Sequence, residues 1–327
     1  MDGSSNPSAE RGPSDNRGEA GFVTIPGNPP PENAEILWVE SRGRKNRVFF
    51  AAEPKGGVKT RGTVFLCPGR TEFIEKYFEA ARELQGRGFA VAIFDWPGQG
   101  LSPRMQKDPL KGHVRTYGVF VDAFRKGVEK LKPRAPKPHL ILAHSMGSAI
   151  ALEALRTRQV QVEAAAFSSP MWGVPIWFFQ RWYARAARFF GFGGFYARPP
   201  GPVETFENNQ LTHDEKRWQV HRSLVEADPR LAVGEPTIGW VVATLNVLRE
   251  LHAAAALDHL RKLPIVIAQA TEDTVVRNAA QRRLHRRLKN SKLIPVDGAG
   301  HEILMETDPR REKFWKAFDE LCKRAGV

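Results

Sequence analysis

A chain of 327 residues, 42% hydrophobic and 26% charged, is long enough to bury one large core and too apolar to be disordered throughout. Its two cysteines, Cys67 and Cys322, form no C-x-x-C and accompany no histidine cluster, so neither a disulfide framework nor a zinc site is signalled. The net charge of +13 favours anionic partners, although a basic surface need be no more than solvated. Residues 1–34 carry two basic and five acidic side chains, so the excess of positive charge belongs to the rest of the chain.

No stretch approaches the roughly 18 consecutive apolar residues of a membrane span. The first residues lack both a basic start and an apolar segment, so no secretory signal is read there. A cytoplasmic protein, in peripheral contact with the inner face of the membrane at most, is the expectation.

Taken in order, residues 1–34 are rich in Gly, Ser, Pro and Asn and read as a disordered tail. Ile36–Val39 and Val48–Ala52 look like an opening pair of strands. Thr63–Cys67 is a short apolar run stopped by Pro68-Gly69, and a helical pattern covers about 73–87. Ala90–Phe94 is the next buried strand, followed by a helix with its stripe at Phe120, Phe124, Val128 and Leu131. Leu140–Ala143, a helix over Ala149–Leu155, and Ala164–Phe167 continue the alternation. It resumes at Ile265–Ile267, with a helix near Ala279–Leu288, a strand at Lys292–Pro295 and a closing helix over about 312–324. Continuous apolar runs of four to six residues between amphipathic helices predict an α/β fold, a mostly parallel sheet covered by helices on both faces. The interruption at residues 169–256 is too long and too patterned for a loop and reads as an inserted helical lid, leaving 35–168 and 257–327 as the core.

Chemistry concentrates at Leu140-Ile-Leu-Ala-His-Ser-Met-Gly-Ser-Ala-Ile150, where an apolar strand runs into Ser145 and a helix begins at once. A strand–turn–helix of this kind lifts a serine hydroxyl clear of the sheet, provided small residues stand two before and two after it. Ala143 and Gly147 meet that need. The same turn aims the Met146 N–H and the helix N-terminus at a developing oxyanion. A base and an acid are expected later, in the order acid then histidine. His301 follows a strand through Gly298-Ala-Gly300 and is the candidate base. His144 adjoins the serine, but neighbouring side chains in a sharp turn diverge. The strand Leu263–Ala270 ends in two carboxylates, Glu272 and Asp273, of which Asp273 is preferred as the group that orients the imidazole. A second oxyanion donor is expected from the Arg70 N–H in the loop after Cys67. The Arg70 side chain itself is expected in solvent. Asp95-Trp-Pro-Gly-Gln-Gly-Leu-Ser102 lacks the G-K-[ST] of a phosphate loop and reads as a pinned turn near the site.

Together with Gly69-Arg-Thr-Glu-Phe-Ile-Glu-Lys-Tyr77, Asn209–Asp214, Gly234–Trp240 and Gly300-His-Glu302, these stretches resemble the α/β-hydrolase family of monoacylglycerol lipases and bacterial lysophospholipases, grouped with serine aminopeptidase-like hydrolases. The resemblance spans about residues 35–325. It implies an α/β-hydrolase fold, the triad Ser145, Asp273 and His301, an oxyanion hole from the Arg70 and Met146 N–H groups, and no cofactor or metal. Ala143 stands where many relatives have Gly, and Pro68 where many have His.

Residues 172–196 hold eleven aromatics in 25 positions, with Arg181, Arg185 and Arg188 at helical spacing. This composition suits a lid that lines an acyl pocket, with Trp172, Trp177, Phe178 and Trp182 as candidate contacts, and that touches anionic membrane lipid. A small lipid ester is the expected substrate and no nucleic-acid partner is expected, since no reading motif accompanies the charge. A peptidase on short peptides is the alternative, disfavoured because a free amine calls for acidic groups. A dehalogenase would need Asp at position 145. A silent lipid-binding protein is disfavoured by the complete triad.

Overall fold

The computed structural model describes residues 21–52, 60–199, 201 and 205–327. Eight strands form one sheet: β1 (Ala34–Ser41), β2 (Arg44–Ala51), β3 (Gly62–Cys67), β4 (Phe89–Phe94), β5 (His139–His144), β6 (Ala164–Ser168), β7 (Ile265–Ala270) and β8 (Ser291–Val296). Their spatial order is β1-β2-β4-β3-β5-β6-β7-β8. Only β1–β2 and β2–β4 pair antiparallel; β3 through β8 run parallel.

The buried strands are apolar at successive positions because each face has its own helical cover. Val64 and Leu66 of β3 pack with Leu140 and Leu142 of β5 under helices α1 (Phe78–Gly86) and α8 (Asp308–Arg324). Phe65, Cys67 and Ile141, on the other face, pack with α2 (Gly118–Leu131) and α3 (Ser145–Arg156). The helix α7 (Asn278–His285) lies between β7 and β8 in the chain.

Between β6 and β7 the chain leaves the sheet for the helices α4 (Phe178–Phe189), α5 (Glu215–Ala227) and α6 (Ile238–Leu251). α6 packs on α3 and carries α4. The side chains that α4 buries are the small Ala184 and Ala187, while Phe178, Phe179, Trp182, Tyr183 and Phe189 stay exposed. No helix among the described residues is long and apolar enough to cross a membrane.

The N-terminal segment departs from its expected disorder. Residues 1–20 lie outside the described residues, but from Gly21 onward the chain is seated on the domain. Phe22 packs edge-on against Phe78 at 5.5 Å, Asn28 donates to the Glu75 carbonyl at 2.9 Å, and the Val23 N–H donates to the Glu75 carboxylate at 3.1 Å. That carboxylate is fully buried and paired with Arg47. A buried ion pair is costly unless further hydrogen bonds support it, and the segment's backbone adds two: the Val23 N–H to Glu75 Oε1, and the Gly21 carbonyl, which accepts from Arg47 Nη2 at 3.0 Å.

Candidate active site

Ser145 stands where β5 turns into α3, with φ +46°, a left-handed conformation that a non-glycine residue holds only under constraint. The constraint is close packing. A Cβ on Gly147 would lie 2.1 Å from the Cys67 carbonyl oxygen and 2.4 Å from that of Pro68, so only glycine lets α3 start this near β3.

His301 is brought in by the loop after β8. Its Nε2 lies 2.8 Å from Ser145 Oγ, and its Nδ1 lies 2.8 Å from Asp273 Oδ2. The Asp273 side chain is fully buried, and its second oxygen accepts the N–H groups of Val275 and Val276 at 2.9 and 3.0 Å. Those bonds aim the carboxylate at the imidazole. Glu272 instead points outward, 3.8 Å from His213, so the choice between the two carboxylates falls on Asp273. The geometry lines up a hydroxyl, an imidazole and a carboxylate in hydrogen-bonding contact, the arrangement that nucleophilic acyl transfer by a serine requires.

His144 turns away from the serine. Its Nδ1 meets the Ser168 carbonyl at 3.1 Å, and its ring lies 4.9 Å from that of His301. Burial lowers its pKa to about 4, despite the nearby Glu72, so at neutral pH it stays uncharged beside the His301 ring.

Sequence reasoning missed the polar layer beneath these rings. The Lys76 ammonium lies 2.9 Å from Glu72 and 2.6 Å from Glu302, and Tyr77 Oη donates to Glu72 at 2.6 Å, all buried. Burial alone would raise the Glu72 pKa, but the Lys76 and His144 charges and the hydrogen bonds from Tyr77 and Lys76 together outweigh it and hold the carboxyl well below its usual range. Burial would likewise lower the Lys76 pKa, and the charges of Glu302 and Glu72 outweigh it and raise it. Glu72, His144 and Glu302 have the donor types of a metal site, yet the cation they surround is this ammonium. The signal was present in the i, i+4 pair Glu72/Lys76 and in Glu302 next to the base.

Neither candidate oxyanion donor, the Arg70 N–H nor the Met146 N–H, meets an acceptor among the described residues. The Arg70 side chain corrects its expected place in solvent. It donates to the Gly234 carbonyl and lies over the Trp240 ring at 5.4 Å, and burial lowers its pKa to about 10. The loop after β3 is thereby fastened to the segment between β6 and β7.

The four candidate lid contacts do not converge. Trp172 is fully buried against Phe167 at 5.1 Å, whereas Trp177, Phe178 and Trp182 are 69%, 82% and 72% exposed. Trp172 thus belongs to the core beside α3, and the other three to the outer surface.

The model of the serine aminopeptidase S33 family matches residues 58–308, more than two thirds of the chain, and every group of the constellation above falls within it. The chain belongs to this S33 family of hydrolases. Lysophospholipase L2 of Escherichia coli K12 is 34% identical to this S33 hydrolase over 287 residues, 80% of each chain. A probable lysophospholipase L2 of Haemophilus influenzae is 29% identical over 276 residues, 82% of this chain and 85% of that one. Among solved structures, a soluble variant of the Saccharomyces cerevisiae monoglyceride lipase in complex with a substrate analog superposes with a TM-score of 0.68. It covers 89% of this chain and 96% of that one at 20% identity, a likeness of fold. The S33 hydrolase therefore has the α/β-hydrolase fold.

Proposed function

We propose that this chain is a serine ester hydrolase acting on a fatty-acyl ester of a lysophospholipid or monoacylglycerol, with Ser145, His301 and Asp273 as its triad. The observation that carries the reading is the chain of two 2.8 Å contacts, Ser145 Oγ to His301 Nε2 and His301 Nδ1 to Asp273. The 34% identity to a lysophospholipase supports the substrate class.

In the first half-reaction the Ser145 oxygen attacks the ester carbonyl and its proton passes to His301 Nε2. The Arg70 and Met146 N–H groups receive the oxyanion, a term worth about 10²–10³ in rate per donor. Collapse expels the alcohol, which takes the proton from His301, and leaves Ser145 acylated. Water, deprotonated by His301, then attacks the acyl group, and the fatty acid leaves as the proton returns to Ser145.

Residues 169–256 act as the lid, and the outer surface of α4 is its contact with an anionic membrane. A helix that buries alanines and exposes Phe178, Trp182 and Phe189 presents more apolar surface than a soluble protein ordinarily leaves in water. The exposed Arg185, on the same helix, suits acidic headgroups. These features support a peripheral position at the membrane that holds its substrate.

Purified protein assayed on p-nitrophenyl esters of several chain lengths, lysophosphatidylcholine, monoacylglycerol and amino-acid anilides tests the reading. Hydrolysis of the lipid esters is expected. Turnover of the anilides alone would overturn the reading in favour of a peptidase.

A further inference from the structure

Backbone polar groups inside a protein are nearly always paired, so a donor left free beside a nucleophile has to be kept free by the pairing of its neighbours. The loop after β3 shows such accounting. The Gly69 N–H donates to the Glu72 carboxylate, and the Thr71 N–H donates to Gln99 Oε1 at 3.1 Å. The Pro68 carbonyl accepts from Trp96 Nε1 at 2.8 Å, and Thr71 Oγ1 donates to the Arg70 carbonyl. The carbonyls of Gly69 and Glu72 accept from Gln99 Nε2 at 2.9 and 3.3 Å. Of the three N–H groups from Gly69 to Thr71, that of Arg70 is the one with no acceptor among the described residues.

Gln99 makes three of these bonds with one amide. Its oxygen meets an N–H and its nitrogen meets two carbonyls, so the amide orientation follows from the partners. It also holds Thr71 at φ +65°, a left-handed conformation a threonine resists. Gln99 is 5% exposed, so bulk solvent does not compete for its bonds. The side chain is itself anchored: Asp95 accepts the N–H groups of Ile74 and Leu101 at 2.9 Å each, tying the Gln99 turn to the segment that follows the oxyanion loop.

We propose that Gln99 is a positioning residue of the oxyanion hole, pairing the groups on both sides of the Arg70 N–H so that this donor alone faces the reacting carbonyl. The proposal rests on the ester-hydrolase reading above and gives the Asp95–Ser102 turn a part in the reaction.

Gln99→Met keeps the length of the side chain and removes its donor and its acceptor. On p-nitrophenyl butyrate, kcat is expected to fall about 10- to 10²-fold with KM changed less than about two-fold, because the donor acts on the transition state more than on the bound ester. An alkyl trifluoromethyl ketone, whose serine adduct carries the oxyanion, should lose affinity by the same factor, which a merely structural role would not produce. Gln99→Glu restores the acceptor for the Thr71 N–H and should fall between Gln99→Met and the parent in both readouts. Unchanged kcat and ketone affinity in Gln99→Met would overturn the proposal, as would a fall in kcat with ketone affinity intact. Should Gln99→Met not fold, an unimpaired Gln99→Glu would overturn it as well. Parent protein that turns over no ester would instead sink the hydrolase reading, a result separable from any effect at Gln99.

Discussion

Gly147→Ala adds one methyl group at the tightest point of the site. The new Cβ would stand 2.1 Å from the Cys67 carbonyl oxygen and 2.4 Å from that of Pro68, where ordinary contact begins at 3.4 Å. The two segments must therefore separate by about 1 Å. Both contacts are backbone, so no side chain can swing away. Cys67 ends the central strand β3, and Pro68 leads directly into the Arg70 donor, so the displacement falls on the oxyanion loop. Overpacking of this kind costs about 1–3 kcal/mol of stability. A misplacement of about 1 Å at a reacting centre costs on the order of 10²-fold in rate. The expected result is a kcat on p-nitrophenyl butyrate lowered about 10²-fold or more, in a protein still folded by urea titration. Gly86→Ala is the control, since its Cβ meets nothing within 4 Å; it should leave activity intact and add about 0.5–1 kcal/mol to stability. A Gly147→Ala protein with kcat within about three-fold of the parent would refute the reasoning that this close approach sets the donor geometry.

Asp273→Asn should keep the fold and lower kcat by about 10³–10⁴-fold, because an amide no longer holds the Nδ1–H tautomer of His301; steady-state kinetics on a soluble ester reads this. His144 binds its proton only below about pH 4 in the folded state, against 6.5 for an unperturbed imidazole, so the unfolded chain takes up the extra proton as pH falls through that window. Its contribution is stability present above pH 6.5 and lost toward pH 4. Relative to His144→Asn, the parent should lose about 2 kcal/mol between pH 7 and pH 5 in urea titrations, and equal slopes for the two proteins would contradict the assignment. Replacing Phe178, Trp182 and Phe189 by Ser should abolish co-sedimentation with vesicles of anionic phospholipid while p-nitrophenyl butyrate is still hydrolysed; retained binding would remove α4 from the membrane contact.

The strands, and the three residues the structure brings together as Ser145, His301 and Asp273, were legible because each rests on a local signal. Apolar runs such as Thr63–Cys67 and Leu140–Ala143 report burial on both faces, and Ser145, Asp273 and His301 each stand at the carboxyl end of a strand or in the loop that follows one. The groups that escaped notice depend on tertiary partners. Gln99 lies in a turn whose glycines explain its shape but not that its amide reaches back to Gly69 and Thr71. Phe22 sits in a stretch whose composition suggests disorder, and only the waiting faces of Phe49 and Phe78 order it. The aromatic insertion was visible as composition, yet Trp172 fills the core while Trp182 faces outward, because α4 turns its alanines to α6. Arg70 could not be placed from sequence, since its partner, the Gly234 carbonyl, lies 164 residues away.

The central claim is that Ser145 is the nucleophile of an ester hydrolase, and a fluorophosphonate probe tests it most directly. Intact-protein and peptide mass spectrometry of probe-treated enzyme should show one adduct, on the Ser145 peptide, forming in step with the loss of lysophospholipid hydrolysis and absent from Ser145→Ala. An adduct elsewhere, or lysophospholipid hydrolysis that persists in Ser145→Ala, would contradict the account.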